Sequence, residues 1–219
     1  NGMANFMRAV EFIKCREGRG VFVSYRNDRN EEADIYRGTR LLMHQPYSAR
    51  LYPLDGVSFH GKVCYNREAS MDRMERPDGQ ELRLTEDAGN ILWIRPCVGM
   101  TYPQAGPQVR AVLHDSYHSG TIAVNAGLEE FAGRMEQAGI PVYLTGASSG
   151  EAEYETVRMY EQYGIRVLPK MSLIAAYCKL WLALSNDLDV NSIMNTCIAE
   201  DIIQEQRGVI RTDEQSRRD

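Results

Sequence analysis

Several features that would assign a class of protein at once are missing from this sequence. No run approaches the roughly 18 apolar residues of a membrane span, and the amino terminus carries no basic segment followed by an apolar one. The 25 Lys and Arg residues are scattered among 30 acidic residues and form no basic stripe. We therefore predict a cytoplasmic globular protein without a membrane or nucleic-acid partner.

Cysteine is scarce and dispersed. The five cysteines form no C-x-x-C pair that would indicate a zinc or redox site. We expect them to be reduced and mostly buried, as small apolar side chains. The remaining composition is ordinary, because 43% hydrophobic and 25% charged residues over 219 positions suit one large or two small domains.

The first part of the sequence predicts a helix followed by strands. Phe6, Ala9, Val10 and Ile13 recur at three- and four-residue spacing, which predicts an amphipathic helix capped near Asn5. Residues rich in β-branched and aromatic side chains follow it. They predict a strand at residues 20–25, and a returning strand and loop at residues 33–43.

A domain boundary is predicted near residue 80. His60-Gly61 lies between two apolar stretches and predicts a short hairpin. Residues 66–90 are charged and lack apolar periodicity, which is typical of a solvated linker. We therefore assign residues 1–80 to one domain and residues 81–219 to another.

Strands and helices alternate after the linker, and this order predicts an α/β fold with a parallel sheet flanked by helices. The predicted strands are residues 91–95, 112–114, 141–145 and 167–168, and the predicted helices are residues 104–111, 125–138, 151–163, 173–184 and 190–204. Ser172 is the expected cap of the fourth helix, whose apolar face would hold Ile174, Cys178, Trp181 and Leu182.

Residues 146–150 fit the G-x-S-x-G nucleophile elbow between a strand and a helix. All four histidines precede Ser148, so the expected downstream base is absent. Two other interpretations remain open. The segment is a small-residue turn that lets the helix start close to the strand, or it binds a ligand carboxylate with free N–H groups.

Two further polar clusters are candidates for chemistry. His114 and His118 are four residues apart, but a strand running into a loop need not bring their rings together on a metal. We favour a ligand-binding loop at the sheet edge there. Glu151, Glu153 and Glu155 either cap the next helix or bind a ligand amine.

Short segments along the chain occur in the order found in bacterial and archaeal L-asparaginases. The opening resembles D-G-P-x-N-L-x-x-A, and later segments are similar to the family's R-G-V-x-V, G-x-P-V, A-x-x-K-L and N-x-x-G-E-I motifs. The segments that carry this resemblance are residues 1–9, 20–23, 59–63, 140–144, 154–156, 164–165, 173–184 and 195–202, with Ala199 in place of the family's Gly.

The resemblance implies a two-domain amidohydrolase that converts L-asparagine to aspartate and ammonia without a metal or cofactor. The carboxyl-terminal domain would be flavodoxin-like, and the remainder of the amino-terminal domain would precede it. Such enzymes are homo-oligomers in which this domain completes the neighbouring subunit's site. The resemblance implies that asparagine or glutamine contacts Ser119, which stands where the family has Asn, together with Thr121, Ser148, Glu151 and Glu155.

The catalytic part of the family pattern is missing. No T-G-G-T or T-D-T segment occurs, and Leu42 or Met43 stands where the family has its catalytic Lys. We therefore expect this chain alone to be inactive. Either it is a piece that associates with a missing amino-terminal segment, or it belongs to a diverged branch. The alternative function is a noncatalytic module for small-amino-acid binding or oligomerisation.

Overall fold

The computed structural model describes residues 1–15, 20–29, 31–54, 82–86, 89–147 and 155–203. We call residues 1–54 the first region and residues 82–203 the second region. The predicted hairpin at His60-Gly61, most of the predicted linker and the boundary near residue 80 lie outside the described residues.

The first region consists of one helix and a two-stranded antiparallel ladder. Helix α1 spans Gly2–Cys15, strand β1 Phe22–Tyr25 and strand β2 Asp34–Arg37, followed by a 3-10 turn at Gly38–Arg40. In the ladder, β1 and β2 pair in register from one end to the other. The predicted strands are therefore confirmed.

Helix α1 begins earlier than predicted, at Gly2, because Asn5 does not cap it. The Asn5 side chain accepts a hydrogen bond of 2.9 Å from the Arg26 backbone N–H. The Phe12 ring packs against the Phe22 ring at 4.7 Å, so the helix lies on the ladder. No residue of α1 is buried by this packing.

The second region is built on a four-stranded parallel sheet in the order β3-β4-β5-β6. Its strands are β3 (Ile91–Ile94), β4 (Ala111–His114), β5 (Val142–Leu144) and β6 (Ile165–Val167). The last residues of neighbouring strands pair with one another. The carboxyl ends of the strands therefore meet along one edge, as the predicted α/β fold requires.

Helices cover both faces of this sheet. One face packs against α2 (Ala126–Gln137) and α3 (Glu155–Gln162), and the other against α4 (Leu173–Ser185) and α5 (Val190–Asn195). The buried residues of the first face include Leu128, Phe131, Met135 and Tyr160, and those of the second Ala176, Leu180, Leu184 and Met194. Asn125 and Ser172 cap α2 and α4 with their side chains.

Three predictions about helices were wrong. Residues 104–111 form no helix, since Pro103, Gly106 and Pro107 interrupt the segment and a turn joins Val109 N–H to the Gly106 carbonyl. The last helix ends at Asn195 instead of Gln204. The buried face of α4 comprises Ala175, Ala176, Lys179, Leu180, Ala183 and Leu184, while Ile174 is 42% exposed.

For the described cysteines, the prediction of free thiols was right and the prediction of burial was wrong. Cys15, Cys97 and Cys178 are exposed and Cys197 is partly exposed, so the four described cysteines are not buried as expected, although all are free thiols. Within the described parts of the chain, no helix has both the length and the apolar content needed to cross a bilayer.

A polar seam joins the two regions. Thr39 Oγ1 donates to the Ala199 carbonyl at 2.9 Å, and Arg40 Nε donates to the Glu200 carbonyl at 2.8 Å. The buried Arg37 guanidinium pairs with the Glu200 carboxylate at 2.9 Å. Ala199 and Glu200 both have positive φ, at 51° and 59°, which explains why a glycine suits the position of Ala199.

Candidate functional site

The candidate site lies along the edge where the parallel strands end. Strands β3, β4 and β5 are each followed directly by a polar residue at this edge. Arg95 follows β3, Asp115 and Ser116 follow β4, and Thr145 and Gly146 follow β5. Such edges are where open α/β sheets bind ligands.

Asp115 is the half-buried carboxylate of this edge. Its Oδ1 accepts a 2.9 Å hydrogen bond from the Ser116 backbone N–H, and the exposed Arg95 lies 4.0 Å from Oδ2. Burial raises the pKa of Asp115, and contacts with Ser116, Arg95 and Thr145 oppose that rise. This carboxylate is placed to meet a ligand amine.

Ser119 and Thr121 come together on the loop after β4. The loop closes through a turn in which Gly120 N–H donates to the Tyr117 carbonyl at 2.9 Å, and Tyr117 N–H donates to the Thr121 carbonyl at 2.8 Å. The Ser119 and Thr121 hydroxyls are 2.9 Å apart. Ser119 is exposed and Thr121 is half-buried, so both hydroxyls can reach a ligand.

Two tyrosines of the core are hydrogen-bonded to the backbone of this loop. The Tyr102 hydroxyl donates to the Ala123 carbonyl at 2.7 Å, and the buried Tyr160 hydroxyl accepts from Ile122 N–H at 3.3 Å. Burial raises the pKa of Tyr102, so this hydroxyl stays protonated and remains a donor. The loop is therefore anchored on side chains of the core.

Two glycines bring the loops after β4 and β5 into contact. Gly120 and Gly146 have φ of 76° each. A Cβ on Gly120 would lie 3.0 Å from the Gly146 carbonyl oxygen, and one on Gly146 would overlap Ser116 Oγ. Both positions therefore require glycine, for backbone conformation and for space.

His114 is a core residue at this edge. It is fully buried, and its Nδ1 donates to the Asp115 carbonyl. Its Nε2 has no hydrogen-bond partner in the described part of the chain. Burial lowers the pKa of His114, so the ring is neutral, and its Nε2 accepts no hydrogen bond from a hydroxyl of the described edge.

Two of the five residues predicted to bind substrate, Ser119 and Thr121, are brought together. Ser148 and Glu151 lie outside the described residues. Glu155 begins α3, and its side chain is likewise not described. Asp115 and Thr145 were not predicted, although their place directly after a strand was a usable signal.

The two histidines considered as metal ligands differ in environment, since His114 is buried and His118 is exposed. In the stretches of chain that the structure covers, no group of three or more His, Cys, Asp and Glu residues is placed to hold a metal ion. Among the described residues, the edge instead offers hydroxyls, the Asp115 carboxylate, the Arg95 guanidinium and backbone groups, which suit a small zwitterionic ligand.

Two solved structures share this fold over nearly the whole chain. The thermostable L-asparaginase from Thermococcus kodakarensis superposes with a TM-score of 0.61 and 20% identity, covering 92% of this chain and 62% of its own. L-asparaginase I from Vibrio cholerae superposes with a TM-score of 0.61 and 18% identity, covering 93% of this chain and 63% of its own.

The chain therefore has an asparaginase-like α/β fold, and it spans less than two thirds of the length of those two chains. No protein-family model and no curated protein sequence matches it. At this identity the similarity is one of fold.

Proposed function

We propose that this chain is an asparaginase-family protein, and that the activity of the whole protein is hydrolysis of L-asparagine to aspartate and ammonia. The observation that carries the proposal is the superposition on two L-asparaginases over 92% and 93% of this chain. The order of the family-like segments in the sequence supports it. In this proposal residues 1–80 are the remainder of the amino-terminal domain and residues 81–219 the carboxyl-terminal domain.

The proposed ligand is asparagine or glutamine, bound at the carboxyl edge of the sheet. Ser119 and Thr121 would bind its polar groups, Asp115 would meet its ammonium group, and Ser148, Glu151 and Glu155 would complete the site. The free state of the four described cysteines suits the reducing cytoplasm, where we expect the protein to act.

The chain by itself is proposed to be inactive. Its sequence contains no T-G-G-T or T-D-T segment to supply a threonine nucleophile. Leu42 and Met43, at the position of the family Lys, carry no ammonium group to assist proton transfer. In this proposal the chain can bind the amino acid without hydrolysing it.

An ammonia-release assay of the purified chain with L-asparagine and L-glutamine tests the inactivity. We expect no release above the buffer blank. Release that follows the purified protein through a second chromatographic step would contradict the proposal.

The second candidate function is a noncatalytic module that binds a small amino acid or mediates oligomerisation. The apolar residues Leu42 and Met43 favour it, since a diverged branch need not retain the Lys. Calorimetric titration with L-asparagine separates the possibilities. Heat that a Ser119→Ala, Thr121→Val double variant abolishes supports amino-acid binding. The control is the Ser48→Ala, Thr85→Val pair, at a half-buried serine and an exposed threonine. Absence of heat with the wild-type chain favours oligomerisation alone.

A further inference from the structure

His114 is the last residue of strand β4, and the loop after β4 begins directly beyond it. Its side chain is fully buried. The ring lies 5.7 Å from the Tyr102 ring, which stacks in turn on Phe131 at 5.3 Å. A histidine embedded among core aromatics therefore adjoins the loop that carries Ser119 and Thr121.

The ring is connected to that loop at both ends. Its Nδ1 donates to the carbonyl of Asp115, the first loop residue. The neighbouring Tyr102 hydroxyl donates at 2.7 Å to the carbonyl of Ala123, at the far end of the loop. A displacement of the His114 ring would therefore disturb contacts at both ends of residues 115–123.

The observed arrangement accommodates only the neutral ring. Nδ1 carries the proton that it donates to the Asp115 carbonyl, so a second proton would be placed on Nε2. That nitrogen is buried, and it has no hydrogen-bond partner in the described part of the chain. Protonation would therefore leave an unpaired positive charge in an apolar layer, which is strongly unfavourable.

The described surroundings offer little to compensate such a charge. The titratable and charged groups on the elements around the ring are Asp115, Arg95, Tyr102, Tyr117 and Tyr160. Asp115 acts on the ring through its backbone carbonyl, while its carboxylate contacts the Ser116 N–H and Arg95. The side chains that α2 buries are all apolar. Burial therefore lowers the pKa of His114.

We propose that His114 is a pH-sensitive latch on the loop after β4. The neutral ring holds residues 115–123 in the arrangement that presents Ser119 and Thr121. The protonated ring leaves its buried position, breaks its bond to the Asp115 carbonyl and lets the loop open, so that amino-acid binding weakens in mild acid. This inference rests on the proposed function, because it requires that the loop bind an amino acid.

Proton linkage gives the direction and size of the effect. In the open loop the ring reaches water and titrates near about 6.5, whereas in the closed loop its pKa is lower. The closed loop is therefore fully favoured above that pH and is destabilised as the pH falls through it. Between pH 7.5 and pH 5.5 the ratio of closed to open loop should fall about tenfold.

Hydrogen exchange without ligand tests the latch itself. Tyr117 N–H and Gly120 N–H, which are hydrogen-bonded within the loop, report loop opening, and Val112 N–H reports unfolding of the sheet. We expect the loop amides to be far less protected than Val112 at both pH values, and their protection to fall about tenfold from pH 7.5 to pH 5.5. Protection equal to that of Val112 overturns the proposal, because the loop would then open only by unfolding of the whole region.

Two variants identify the group that titrates. His114→Asn can still donate to the Asp115 carbonyl but carries no titratable ring, and it should abolish the fall in loop protection. His118→Gln, at an exposed ring of the same loop, is the control and should retain the fall. A fall that persists in His114→Asn overturns the proposal.

Calorimetric titration with L-asparagine at the two pH values measures the consequence for binding. The wild-type affinity should fall by up to about tenfold more than that of His114→Asn. Asp115 contributes equally to both proteins, since its own raised pKa also weakens binding in acid. An equal fall in both overturns the latch and leaves the proposed function intact. Absence of binding at pH 7.5 contradicts the proposed function, and with it control of amino-acid binding by His114.

Discussion

The two regions differ in how their sheets are covered. The second region buries both faces of four strands between helix pairs, and residues such as Leu113, Leu128 and Leu180 have no exposed surface. The first region lays one helix on two strands, and no residue of that helix is buried. The helix and two consecutive strands of the first region thus form an open layer, whereas the parallel strands and helices of the second region form a closed core.

This difference indicates where the stability of the chain resides. Burial of apolar surface is the dominant favourable contribution to folding, and the second region provides most of it. The first region depends more on its polar seam with Ala199 and Glu200. Four experiments test this contrast, in order of decreasing expected effect.

The same substitution should destabilise the second region far more than the first. Phe131→Ala removes a ring that is 1% exposed in the second region, and we expect a loss of about 3–5 kcal/mol in the free energy of unfolding. Phe6→Ala, at a ring that is 63% exposed, should change it by less than about 0.5 kcal/mol. Urea denaturation measures both, and similar losses would contradict the contrast.

Breaking the polar seam should destabilise the first region and leave the second region unchanged. Glu200→Gln gives the buried Arg37 a neutral partner, and we expect a loss of about 1–3 kcal/mol. Hydrogen exchange should become faster in β2 and stay unchanged in β4. Glu130→Gln, which breaks an exposed pair with Arg134, is the control and should cost less than about 1 kcal/mol. Uniform acceleration in both strands would show that the regions unfold together.

The second region should lose stability in mild acid because of His114. The folded state keeps this ring neutral with a lowered pKa, whereas the unfolded chain protonates it below about 6.5. Stability therefore falls as pH drops through 6.5, by up to about 1.4 kcal/mol per pH unit. The raised pKa of Asp115 acts in the opposite sense, so a comparison of variants is required.

Denaturant unfolding at pH 7 and pH 5 measures this dependence. His114→Phe should have a smaller difference between the two pH values than the wild-type chain. His118→Gln, at an exposed ring, should keep the wild-type difference. An unchanged difference in His114→Phe would exclude the buried histidine as the cause.

The smallest effect is expected at the seam backbone. Ala199 has φ of 51°, and glycine relieves the strain of that conformation, so Ala199→Gly should stabilise the chain by about 0.5–1 kcal/mol. The control is Ala138→Gly, because Ala138 has φ of −82° and glycine relieves no strain there. Thermal denaturation compares them, and a lower Tm for Ala199→Gly would contradict the strain.

Local signals were sufficient for much of the second region. Buried strands are short apolar runs, and the cap Ser172 is a local side-chain signal, so both were predicted from sequence. Local signals failed where contacts between residues far apart in sequence determine which side chains are buried. On α4 the small residues face the sheet, and the buried Lys179 is accommodated by Asp201, which lies 2.9 Å away but 22 positions later.

The site was predicted only in part for the same reason. Ser119 and Thr121 lie on one short loop, so their proximity follows from sequence separation. Asp115 depends on its burial between strand ends and on Arg95, which no local pattern specifies. The anchoring of the loop by Tyr102 and Tyr160 joins residues 21 and 38 positions apart.

The contact between Gly120 and Gly146 has a further consequence for motion at the site. Since the backbones touch without intervening side chains, the loop bearing Ser119 cannot move inward independently of residues 145–147. A ligand that pushes one loop toward the other must therefore displace both. We expect occupancy at Ser119 to alter the amide resonance of Ala147.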